Sequence, residues 1–337
     1  MDVRLGHNDY GKAEIRLAHV RRDGGRHELR DLLVSVILEG DFADSYRSGD
    51  NAHILPTDTQ KNTVYALAKE HGASEIEDFA AAVARHFVES HVPVERATVT
   101  IEEYGWTRLG PHSFTGDGGL RYARVSHHGG ATGVRSGLRD LRLLNTTGSE
   151  FAGFATDRFT TLPEARDRIL ATRISALWTY VPGAVGNHPL LEPPPSGAEG
   201  DGPSLGPPGR RADGSGPVDW ATIYAETRRH LVEAFVGTYS RSLQQTLHAM
   251  GARVLEHRPE IAAIRLSLPN IHHIPVDLAP FGLTNEDEVF VVSDRPYGLI
   301  EGTVTRSAYA SGPVEGSRAP MALEEGTLLP HSGWGWW

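Results

Sequence analysis

Apolar and polar residues alternate with a period of two along most of the chain, and this pattern is interrupted by four stretches of helical period. Ile15, Leu17 and His19 alternate with polar neighbours, and residues 29–39 form a long β-rich run. Asp23-Gly24-Gly25 between them reads as a hairpin turn. Thr57, with Gln60 three residues on, reads as a capping box that opens a helix over 61–70. Ser74 opens a second helix, in which Ile76, Phe79, Ala80, Val83 and Phe87 recur at helical spacing. Strands are expected again over 97–106, 113–127 and 134–145.

The second half repeats this order. Residues 168–181 alternate, two helices follow over 220–236 and 242–256, and strands close the unit over 261–277, 289–293 and 299–308. Local echoes, such as Thr63-Val64-Tyr65-Ala66 against Thr222-Ile223-Tyr224-Ala225, favour two tandem copies of one unit. Between Pro182 and Pro217 the pattern fails. Nine prolines and nine glycines fill half of those 36 residues, so the segment reads as a flexible surface insertion.

Composition narrows the chemistry. The chain has 337 residues, enough for about two domains, and no cysteine, which removes disulfides, thiolate metal sites and a cysteine nucleophile. Its net charge of −10 disfavours non-specific binding to nucleic acid or to acidic membranes. No apolar run is long enough to span a bilayer, and neither end carries a targeting signal, so the cytoplasm is the expected compartment. Only three lysines, Lys12, Lys61 and Lys69, stand among the 33 basic residues.

A few residues stand out against this background. Asn270 and His272 share the parity of Ile264, Leu266 and Leu268, and so sit on an apolar strand face. They form either a satisfied core network or a pocket wall. Arg168 starts an alternating run on the parity of Leu170, Ile174 and Trp178, and needs either a carboxylate partner or a planar anionic ligand. Thr57 and Gln244 stand at helix starts, where capping is the plain role and anion binding the sharper one. Lys12 reads as a solvated lysine ahead of the first strand. The two histidines of each pair, His127-His128 and His272-His273, point to opposite strand faces and make poor joint metal ligands, although one from each pair could meet in a histidine-only metal site. No GxSxG, Walker, HExxH or GxGxxG motif occurs.

Taken in order, several segments resemble the urate oxidase (uricase) family. They are Tyr10-Gly11-Lys12, Leu38-Glu39-Gly40, Pro56-Thr57-Asp58-Thr59-Gln60-Lys61-Asn62-Thr63, Tyr104-Gly105-Trp106-Thr107-Arg108 and His112-Ser113-Phe114. Ser149-Glu150-Phe151-Ala152-Gly153-Phe154, Asp167-Arg168-Ile169-Leu170, Ser242-Leu243-Gln244 and Ser267-Leu268-Pro269-Asn270-Ile271-His272 complete the set. The resemblance spans about residues 8–310.

It implies an α+β tunnelling fold (T-fold) of two tandem ββααββ-like units, 8–147 and 148–310, with the insertion at 182–217 and a loose tail at 311–337. It also implies a homotetramer whose antiparallel sheets close into barrels, with active sites at subunit interfaces. The implied reactants are urate and O2, with no cofactor and no metal. Arg168 and Gln244 would grip the purine, Phe151 would stack on it, and the backbone N–H of Leu243, where the family commonly has valine, would add a contact. Lys12, Thr57 and His272 would form a proton relay. Thr57 and Asp58 would come from a neighbouring subunit, and Asn270 and Thr57 would hold water or dioxygen above the ring. The alternatives are a zinc-dependent pterin-type enzyme on the same fold and a non-catalytic purine-binding protein.

Overall fold

The computed structural model describes residues 3–23, 25–73, 75–185 and 218–309. Ser74, most of the proline- and glycine-rich insertion and the tail lie outside the described residues. Among those described, the chain divides into two compact units, each discontinuous in sequence. The first takes the chain up to Leu141, then residues 177–229 and 258–261. The second takes 142–176, 230–257 and the chain from Ala262 onward.

The first unit opens on β1 (Tyr10–Asp23) and β2 (Arg26–Gly40), which pair antiparallel from Tyr10 opposite Leu38 to Asp23 opposite Arg26. Gly25, at φ +79°, supplies the left-handed turn between them. A five-residue helix, α1 (Ala43–Arg47), precedes α2 (Thr57–His71) and α3 (Ile76–Ser90). The chain then returns through β3 (Val94–Arg108), β4 (Phe114–His128) and β5 (Ala131–Asn145). Each of these strands pairs antiparallel with its predecessor, giving the order β1-β2-β3-β4-β5.

Alternation along β2 buries Leu32, Val34, Val36 and Leu38 completely. Val64 and Leu67 of α2, Phe79, Val83 and Phe87 of α3, and Val99 and Ile101 of β3 pack with them in one core. Burying such side chains contributes about 1.5–3 kcal/mol each, which is why two helices of modest intrinsic stability hold to this face.

In the second unit, the start of β6 (Leu170–Tyr180) neighbours β7 (Ile261–Pro275). The end of α4 (Trp220–Gly237) and all of α5 (Leu243–His257) belong here too. The far end of β7 pairs with β8 (Phe290–Ser293), and its first half pairs with β9 (Leu299–Thr305). Leu243, Leu247, Met250 and Val254 form the buried stripe of α5. The expected element order holds throughout. Among the described residues, α1 and two single-turn 3-10 helices, Ala279–Phe281 and Ser307–Tyr309, are additional, each too short to leave a periodic signal.

Candidate active site

Lys12, Thr57 and Asp58 belong to the first unit. The register of β1 on β2 shifts just after Lys12: Lys12 lies opposite Val36 and Ile15 opposite Val34, so Ala13 and Glu14 together face Ser35. This β-bulge holds Glu14 at φ +57° and is tied by the Glu14 N–H donating to Ser35 Oγ at 3.0 Å. Directly opposed residues project from the same sheet face. Lys12 therefore leaves β1 on the core side with Ile15 and Leu17, where α2 packs, rather than on the solvent side with Arg16. Its neighbour Gly11 has no room for a side chain, because a Cβ there would stand 1.9 Å from the carbonyl oxygen of Val36.

The expected capping box at Thr57 is not formed. Pro56 occupies the N-cap position, no side chain caps the helix, and Gln60 instead sends its amide to the Leu55 carbonyl at 3.3 Å. A proline fixed near φ −52° starts the helix by backbone geometry, so the Thr57 hydroxyl is not consumed in a cap. The first-turn N–H groups of Thr57 and Asp58 have no partner earlier in the helix and can meet an anion or polar ligand. Lys61 does not simply face water, as its helix position suggests; its Nζ donates to Asp58 Oδ1 at 2.5 Å. Asn62 donates to the other carboxylate oxygen at 3.0 Å. The hydrogen bond and charge of Lys61, then Asn62 and the charge of Lys12, hold Asp58 below the usual carboxylate range.

Phe151, Arg168, Leu243, Gln244, Asn270 and His272 belong to the second unit. The Arg168 guanidinium lies 5.2 Å from the centroid of the Phe151 ring. Phe154 stacks on that ring, with centroids 4.9 Å apart and planes 14° from parallel. Sequence reasoning gave Phe154 no role. Arg168 forms no ion pair among the described residues, and its buried Nε has no hydrogen-bond partner. Burial alone pushes its pKa down. The structure thus rejects the carboxylate-partner reading of Arg168 within this unit and leaves a partly buried cation beside an aromatic pair.

Backbone pairing fixes these groups. Phe151 and Ala165 exchange both N–H···O bonds, at 2.8 and 3.0 Å, and the Arg168 N–H donates to the Ser149 carbonyl at 2.9 Å. On its other side, the same segment donates from Glu150 N–H to Ser240 O at 2.7 Å and accepts from Ser240 N–H on Gly148 O at 3.0 Å. Ser240 leads into α5. There Ser242 Oγ accepts from the Gln245 N–H at 3.2 Å, while the Gln245 side chain accepts from Arg241 N–H at 2.9 Å. First-turn capping thus falls to Gln245, not Gln244, whose exposed side chain is left available beside the N–H groups of the first turn.

Asn270 and His272 share a face of β7 as their parity predicts, with Asn270 Nδ2 3.5 Å from His272 Nδ1. They sit where burial fades, beyond Leu268, so they form a partly exposed wall rather than a sealed core network. Among the described residues, no group of three His, Asp or Glu side chains is gathered for a metal ion. No helix among them is long and apolar enough to cross a membrane.

A sequence model of the family described as uricase matches residues 8–131 and 134–301. The uricase of Arthrobacter globiformis is 41% identical over 320 residues, covering 94% of this chain and 92% of that protein. The uricase of Oryctolagus cuniculus is 35% identical over 318 residues, covering 90% of this chain and 95% of that protein. The crystal structure of the Arthrobacter globiformis uricase superposes with a TM-score of 0.77 at 41% identity over 95% of this chain and 98% of that one. The urate oxidase of Bacillus sp. TB-90, at 20% identity, has a TM-score of 0.68 over 89% of this chain and all of that one, a likeness of fold. The fold is therefore the α+β T-fold of these neighbours.

Proposed function

Because the chain belongs to the uricase family and is an enzyme that oxidises urate, we propose that its active site is completed only when two sets of residues from different subunits meet. In this reading, Phe151, Arg168, Leu243, Gln244, Asn270 and His272 of one subunit hold the purine. Lys12, Thr57 and Asp58 of a neighbour close over it in a homotetramer whose sheets join into barrels. The reading includes tandem T-fold units over 8–147 and 148–310. The protein works in the cytoplasm.

Urate is an anion at neutral pH, and the unpaired guanidinium of Arg168 beside Phe151 is the observation that carries its binding mode. A planar fork takes two acceptors of a planar anion at once, while Gln244 and the Leu243 N–H engage the other edge. The Lys12–Thr57–His272 relay removes the second proton. The electron-rich dianion then passes two electrons to O2, held with water between Asn270 and Thr57. O2 takes up two protons and leaves as H2O2, and water adds its oxygen to the oxidised ring to give 5-hydroxyisourate. The balance is urate + O2 + H2O to 5-hydroxyisourate + H2O2, and the substrate itself is the reductant, so the reaction needs no cofactor.

The test is loss of urate absorbance coupled to O2 uptake, one for one, with a strong chelator present. Undiminished turnover is expected. Turnover that vanishes with the chelator and returns with zinc would replace this reading by the metal-dependent one.

A further inference from the structure

Asp167 is the carboxylate next to Arg168 in sequence, and both its oxygens are engaged elsewhere. Oδ2 accepts from the Thr147 hydroxyl at 2.7 Å, and Oδ1 accepts from the Gly148 N–H at 3.1 Å. Gly148 stands at φ +76°, a left-handed turn that leads straight into Ser149–Phe151. That segment receives the Arg168 N–H, carries the Phe151 ring and, through Ser240, braces the start of α5. Thr147 and Asp167 are both exposed, so no hydrophobic packing holds the turn in their place.

We propose that Asp167 is a positioning residue for urate binding: its carboxylate clamps the Thr147–Gly148 turn, which sets Phe151 against Arg168 and keeps the guanidinium free for the substrate. The inference rests on the purine-binding reading of Arg168 given above. The clamp acts through geometry rather than charge. An asparagine could still accept from Gly148 N–H and donate to the Thr147 hydroxyl, whereas an alanine can do neither.

The experiment measures kcat and KM, and binding of urate itself without O2, for Asp167→Ala, Asp167→Asn and Thr147→Val, with Arg168→Ala in parallel. Asp167→Ala is expected to raise KM and the anaerobic urate Kd about tenfold with kcat within about twofold. Asp167→Asn should return both to within about threefold of the parent, and Thr147→Val, which loses one of the two bonds, should fall between. Unchanged urate affinity in Asp167→Ala, or an Asp167→Asn variant as impaired as the alanine, would overturn the clamp. If Asp167→Ala does not accumulate as folded protein, Thr147→Val decides alone, and unchanged affinity there overturns the proposal. Full affinity in Arg168→Ala would instead overturn the binding mode on which the clamp depends.

Discussion

The hydroxyl of Thr172, wholly buried on β6, donates to the main-chain carbonyl of Pro269 on β7 at 2.8 Å. Pro269 immediately precedes Asn270, and Thr172 lies four residues beyond Arg168. One buried hydrogen bond thus locks β6, which begins two residues after Arg168, to the strand bearing Asn270 and His272. Thr172→Val keeps the shape and removes the donor. It should cost about 1–3 kcal/mol in denaturant unfolding and, on the proposed placement of water and dioxygen beside Asn270, lower kcat more than it raises KM.

Lys12→Met should abolish most turnover while leaving anaerobic urate binding near that of the parent. Arg168→Ala should weaken binding by about 2–5 kcal/mol. If each site draws on two subunits, mixing the two inactive variants and reassembling them should restore roughly a quarter of parental activity, the fraction of sites with both intact halves. No recovery in mixtures shown to contain both chains would mean that each site is built within one subunit.

Gly11→Ala places a Cβ against backbone, not against a yielding side chain. The β1–β2 register beside Lys12 must shift to accommodate it. A loss above roughly 3 kcal/mol is expected, read as a lowered midpoint in thermal or denaturant unfolding. The surviving folded fraction should be poor in kcat rather than in urate affinity.

His127, only 2% exposed, meets Thr132 Oγ1 at 2.8 Å, and burial, with Arg85 and His128 nearby, holds its pKa below the ordinary 6.5. His86 is lowered in the same sense, by burial first. The unfolded chain therefore takes up these protons before the folded one. Their contribution to stability is complete above about pH 6.5 and is lost as the pH falls through the lowered folded values. Melting temperature should fall on that acid side, and His127→Gln should flatten the fall. An identical pH profile in the variant would assign the acid sensitivity elsewhere.

The long strands and four main helices were legible because their periods persist over many residues and their ends carry turn chemistry. The shared face of Asn270 and His272 was legible for the same reason, since parity survives along a regular strand. What parity could not give was the side of Lys12. Counting by twos from Ile15 puts it with the solvent-facing residues, and only the bulge at Ala13 and Glu14 moves it to the core side. The partnership of Phe151 with Arg168 was hidden too. It arises from pairing between Phe151 and Ala165 in a stretch without period, where spacing along the chain says little about proximity. Helix starts misled in a simpler way: the residues typical of caps were present, but Pro56 stands at one N-cap and Gln245 takes part in the other, so the Thr57 and Gln244 side chains are not used as caps.

The bulge in β1 also fixes how this enzyme's gene can change in length. Loss of one codon at Ala13 or Glu14 would restore unbroken alternation and could leave the hairpin intact, with Ile15 and Leu17 still in the core. Lys12 would then stand two residues from Ile15, still opposite Val36 and on the core side, whereas loss of both codons would make it the neighbour of Ile15 and turn it to the outside. The coding distance between the lysine and the first core residue thus decides the sheet face from which the lysine leaves: on the proposed relay, loss of one codon should keep turnover, and loss of both should yield a folded protein that binds urate and leaves it unchanged.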